Sequence, residues 1–79
     1  MPLFMDIHKN AKGVTVDDVV GAHVADLAVQ AKYDTRYLTY WFNEDAGKIF
    51  CLVEAPSKDA ANAVHKESHG LVADELIEV

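Results

Sequence analysis

The 79-residue chain has one cysteine, two prolines and four glycines. A single cysteine, Cys51, excludes an intrachain disulfide and fits a reducing compartment. No C-x-x-C, G-x-G-x-x-G or P-loop spacing occurs, which removes the redox, dinucleotide and nucleotide-phosphate chemistries those patterns serve. No apolar run approaches the ~18 residues that a bilayer span requires. The opening Met1-Pro2-Leu3-Phe4-Met5-Asp6 has no basic region and no extended apolar stretch, so it does not read as a secretory signal. Positive charge is scarce: seven Lys and Arg stand against 13 Asp and Glu, for a formal net charge of −6. Such a surface repels nucleic acid and anionic membranes and attracts cations. The expectation is a soluble, cytoplasmic protein with neither nucleic acid nor membrane as partner.

Apolar residues and histidine are what the chain does have. Hydrophobic residues make up 51% of it and four positions are histidine. The length suits a single domain over residues 1–79. A chain of this size buries only roughly 60% of its unfolded surface, so part of the apolar surface is expected to meet a second copy in a homodimer.

Local patterning divides the chain into six elements. Leu3–His8 alternates as a strand, with Leu3, Met5 and Ile7 on one face and Phe4, Asp6 and His8 on the other. Thr15 reads as a helix N-cap, and Asp17 and Asp18 suit the positive end of the helix dipole. The helix is expected to run to about Lys32, burying Val16, Val20, Val24 (or Leu27), Ala28 and Ala31, with His23, Asp26 and Gln30 on a neighbouring stripe. Gly21 within it suggests close packing against the sheet. Arg36–Phe42, aromatic and β-branched, reads as a strand. A hairpin loop, Asn43–Gly47, leads into Lys48–Glu54, apolar enough to be central. Ser57 caps a second helix, Lys58–His69, which buries Ala60, Ala61, Val64 and Ser68 and stops at Gly70. Asp74–Val79 is the last strand. The order β-α-β-β-α-β specifies an α+β, ferredoxin-like sandwich, a four-stranded antiparallel sheet with two helices on one face.

That topology brings chemistry together. His8 ends the first strand and His69 ends the second helix at the same sheet edge; His65 lies one turn deeper on the same helix face. Asp6 and Cys51 are potential cross-strand neighbours close by. Imidazoles with a carboxylate suit a divalent transition metal. The candidate ligands are His8, His65 and His69, with Asp6 assisting and His23 a possible member of a separate site.

Each residue also has a plainer role. His65 suits a half-buried helix position, His69 complements a helix C-terminus, and His8 is a polar strand end. His23 reads as a core-edge histidine held by Asp26, and Cys51, between Phe50 and Leu52, as a small apolar core residue. The aromatic strand, with Trp41, suits the uncovered sheet face, where a second copy would pack. A rival reading is a small cofactor-independent oxygenase or isomerase with a pocket near Asp6, His8 and Trp41, where a histidine or carboxylate acts as base. A third is a structural or regulatory dimer without either activity.

The stretches F-M-D-I-H (4–8), A-H-V-A-D (22–26), Y-L-T-Y-W-F (37–42), F-C-L-V-E-A-P (50–56) and A-V-H-K-E-S-H-G (63–70) resemble a family of small bacterial domains labelled nickel-binding or nickel-responsive. The resemblance spans nearly the whole chain, and its motif positions Asp6, His8, His23, Asp26, Cys51, Glu54, His65 and His69 are all filled. It implies a ferredoxin-like fold, a homodimer, and a cytoplasmic role in binding or sequestering nickel rather than in catalysis.

Overall fold

Both helix starts are set by short polar side chains. In the computed structural model, which describes residues 1–79, α1 (Val16–Val29) begins in a reciprocal capping box. The Thr15 hydroxyl accepts from the Asp18 N–H, and the Asp18 carboxylate accepts from the Thr15 N–H. For α2 (Lys58–Ser68), Ser57 Oγ accepts from the Ala60 N–H. Gly70, at φ 80°, then turns the chain away, and its N–H donates to the His65 carbonyl at 2.8 Å. The first helix ends earlier than its periodicity suggests. After Val29 it tightens into a 3-10 turn, Gln30–Tyr33, and Asp34 reverses the chain at φ 54°.

The strands β1 (Leu3–His8), β2 (Arg36–Asn43), β3 (Lys48–Glu54) and β4 (Glu75–Glu78) form one antiparallel sheet in the order β2-β3-β1-β4. This is the ferredoxin-like α+β arrangement, with β3 and β1 central. The core joins sheet and helices through Phe4, Tyr37, Cys51, Val53, Ala55, Ala61 and Val64. Near the loop end, Gly47 at φ 66° lets the β2–β3 hairpin touch the segment after β1: a Cβ there would lie 2.6 Å from Lys12 Cγ and 2.7 Å from its backbone nitrogen.

Gly21 is exposed with nothing within 4 Å of a Cβ there, so it marks no close packing, and two further expectations fail, each for a physical reason. The face of α1 predicted to be buried is largely outside: Val16, Val20, Val24 and Leu27 are 44–59% exposed, while Val19 and Asp26 are buried. Asp26 makes hydrogen bonds to α2, and a buried carboxylate without such partners costs more than a few half-exposed valines return. The helix is therefore rotated to suit its acid.

The second correction concerns the aromatic strand. A bulge shifts the β2–β3 register between Tyr37 and Thr39, so Tyr37 opposes Val53, Tyr40 opposes Cys51 and Phe42 opposes Ile49. These residues share the helix-side face. Thr39 and Trp41 oppose Leu52 and Phe50 on the uncovered face, where Trp41 is half exposed. Strict alternation would have placed Tyr37 with Trp41; the extra residue separates them.

Candidate metal centre

Strand pairing supplies the first part of the site. The β1–β3 register sets Asp6 directly across from Cys51 and His8 across from Ile49. Asp6, His8, Cys51 and His65 offer ligand atoms that all lie within 4.8 Å of one another. The fully buried Asp6 holds the centre of this group. Its Oδ2 accepts from the Tyr37 hydroxyl at 3.1 Å and lies 2.5 Å from His65 Nε2. Its Oδ1 has no hydrogen-bond partner. His8 Nε2 approaches that oxygen at 3.2 Å, outside hydrogen-bond geometry.

Helix packing supplies the second part. Asp26 of α1 faces α2, where its Oδ1 accepts from Ser68 Oγ at 2.6 Å and His65 Nδ1 at 3.0 Å, and His69 Nε2 lies 3.1 Å from the same oxygen. The tautomer of His69 follows from its other nitrogen. Nδ1 accepts from the Leu71 N–H at 3.1 Å, so the ring proton sits on Nε2, on the side of Asp26 and His65. His69 Nε2 also lies within hydrogen-bond distance of His65 Nδ1, at 3.0 Å.

His65 is the shared member, 1% exposed and held between the two carboxylates. Burial opposes its charge, but the hydrogen bonds to Asp26 and Asp6 outweigh that and raise its pKa to about 9. Burial likewise works against ionised Asp6, and His65 and His8 outweigh it, bringing Asp6 down to about 2. Asp26 lies well below the usual carboxylate range for the same balance of burial against His65 and His69. Burial, reinforced by Asp6, pushes the Cys51 thiol up, so it enters the group as a neutral thiol.

The sequence-predicted residues divide accordingly. His8, His65 and His69 are brought together, with ring centroids 5.2 Å apart for His8–His65 and 4.7 Å for His65–His69. His65 is fully buried rather than half-buried. His23 stands apart and packs on the Tyr40 ring at 5.0 Å between centroids. Asp26 is committed to α2, not to His23, as the sequence suggested. Tyr37 and Ser68 also join the hydrogen-bond network without having been singled out. The available signal was Asp26 itself, an acid among Ala22, Ala25 and Leu27 on a helix that must pack.

A cavity of about 430 Å³ opens beside this cluster, with His8, Cys51, Asp26 and His65 among its lining residues. Trp41 does not line it and lies on the other face of the sheet, so the pocket near Asp6, His8 and Trp41 does not form as expected.

The orphaned Asp6 oxygen tests whether a cation fits. A buried acceptor without a donor, flanked by an imidazole, a second ring nitrogen and a sulfur, matches what a divalent metal would satisfy. No helix is long and apolar enough to cross a membrane.

Fold and site together define a small ferredoxin-like α+β protein with a buried histidine–carboxylate cluster. The chain belongs to the SCO4226-like family, described as nickel responsive proteins, whose model matches residues 4–79. It is similar to SCO4226 from Streptomyces coelicolor A3(2), known from a crystal structure. The two share 40% sequence identity at a TM-score of 0.92, over 98% of this chain and 94% of that one. No curated protein sequence matches it.

Proposed function

We propose that the protein binds nickel as cargo at the Asp6 end of the cluster, sequestering the ion or responding to it rather than catalysing a reaction. One observation carries this reading: fully buried Asp6 leaves Oδ1 unpartnered among His8, Cys51 and His65. The family's description as nickel responsive supports the choice of metal. A mostly nitrogen and oxygen donor set also suits nickel.

Asp6, His8 and His65 through Nε2 would hold the ion. An imidazole binds one metal through one nitrogen while the other keeps its proton. Asp26, whose Oδ1 accepts from His65 Nδ1 and Ser68 Oγ, is placed to keep that proton on His65 Nδ1. His69 and Ser68 then act through Asp26 as positioning residues, and His23 stays outside. The cation-attracting net charge of −6 favours delivery of the ion. We assign the uncovered sheet face, with Trp41 and Phe50, to a homodimer in the cytoplasm.

Isothermal titration of chelator-treated, tag-free protein with nickel chloride tests the site. Saturable binding at one ion per chain is expected, lost in His8→Ala and Asp6→Asn. His69→Ala should weaken it by about 10–100-fold, as loss of an orienting partner does. Nickel binding undiminished in an Asp6→Asn, His8→Ala double variant that keeps its circular dichroism spectrum overturns the assignment.

A further inference from the structure

The first turns of α1 do not close onto the sheet. Between them lies the cavity of about 430 Å³, walled by Val19, Ala22 and Ala25 on the helix and by Ile49 across from them, with His23 and Tyr40 on its lining. The helix contributes small side chains where bulkier ones would have filled the space. Its valines at 16, 20 and 24 are turned outward instead. A space of this size within so small a chain sits in the range of small-molecule sites.

The lining decides the charge of what enters. No lysine or arginine lines the cavity, and the charged His65 ring is already held between Asp6 and Asp26, so nothing there is free to balance a carboxylate or phosphate. An organic ammonium fares no better. Asp26 is 3% exposed and already holds Ser68 Oγ and His65 Nδ1, and Asp18 lies in solvent, where an ion pair is worth little. An uncharged molecule is left. Away from the Asp6 cluster, two groups remain free to recognise it: the Tyr40 hydroxyl and the His23 ring form no hydrogen bond within the chain, and their rings meet at 5.0 Å with a 52° tilt. Aromatic edges and faces of this kind suit an aromatic guest. A dry cavity of about 150 Å³ holds benzene, and this one is nearly three times larger.

We propose that the α1–sheet cavity is a binding site for an uncharged aromatic molecule of about two fused rings that carries one hydroxyl or carbonyl group, recognised by Tyr40 and His23. The apolar body lies against Val19, Ala22 and Ala25, and the polar group pairs with the Tyr40 hydroxyl. This site requires no metal at Asp6 and stands whether or not nickel binds there.

The probe is 2-naphthol, uncharged at neutral pH, titrated into chelator-treated protein and followed by ¹H–¹⁵N correlation spectra. Naphthalene-2-carboxylate serves as the charged counterpart of similar shape. Saturable shifts are expected at the Val19, Ala22 and Ala25 amides, with naphthol bound at least tenfold more tightly than the carboxylate. Tyr40→Phe keeps the cavity but removes the hydroxyl, and should weaken naphthol binding by roughly tenfold. Ala22→Phe fills the space and should abolish binding; if that variant does not fold, Ala25→Leu and Tyr40→Phe carry the test. Absence of shifts along α1 overturns the site. Equal affinity for the two probes overturns the uncharged class, and an unchanged constant in Tyr40→Phe overturns the recognition by its hydroxyl.

Discussion

His65 and Asp6, 59 residues apart in sequence, meet with ring nitrogen and carboxylate oxygen 2.5 Å apart in a region closed to solvent. Strand β1 delivers the acid and helix α2 the base. Asp26 holds the other side of the same ring at 3.0 Å. A charged imidazole offsets the charge of the two carboxylates without any ion, while Asp6 Oδ1 stays unpartnered, so this contact serves the fold as well as the proposed site. The polar centre lies directly against the apolar core, since Tyr37 donates to Asp6 and also to the Ala61 carbonyl.

Removing the shared ring should therefore be costly. His65→Ala leaves two buried carboxylates without their common partner, and loss of one member of a buried pair typically costs about 3–5 kcal/mol. That approaches the whole stability of a small domain. Urea denaturation followed by circular dichroism should show a large fall in midpoint or an unfolded chain. A change below about 1 kcal/mol would mean the carboxylates find other partners.

Metal-free stability should depend on pH on both flanks. The His65 pKa is raised from 6.5 to about 9, so its contribution is complete below pH 6.5 and declines as pH rises through 9. Asp6 is lowered from 3.8 to about 2, so its contribution is complete above pH 3.8 and declines as pH falls through 2. The thermal midpoint of chelator-treated protein should therefore plateau between pH 4 and 6.5 and drop on either side. A midpoint that climbs between pH 6.5 and 9 contradicts a charged His65.

The assigned dimer face makes a separate prediction. Trp41 opposes Phe50 on the uncovered side of the sheet and is 52% exposed in the single chain. Sedimentation equilibrium should give twice the 8.7 kDa chain mass for the unaltered protein. Trp41→Glu should give the monomer, because a charge buried at an interface without a partner is disfavoured. Val20→Lys, on the outward stripe of α1, should leave the dimer intact. The reverse pattern would move the interface to the helix.

Much of this architecture was legible in local chemistry. The caps Thr15 and Ser57, the stop at Gly70 and the alternation of Leu3–His8 lie within a few residues of the elements they define. The element order then brings His8, His65 and His69 to one edge. The rotation of α1 was not legible, because its apolar residues are spread around the helix and allow more than one seat. Asp26 decides between them, through partners some 39 residues away in the case of His65. The bulge between Tyr37 and Thr39 was equally hidden, since period-2 alternation carries no sign of an inserted residue.

The sequence by itself determined the strands, the helices, their order and the three converging histidines, because capping, periodicity and turn chemistry act over short distances. Only the tertiary structure decided what those histidines meet. It paired His65 with Asp6 and Asp26, turned Tyr40 toward Cys51 and set Trp41 on the opposite face. It also left a cavity under α1. Those outcomes rest on satisfying buried charge across separate elements, a condition that arises only when the elements pack.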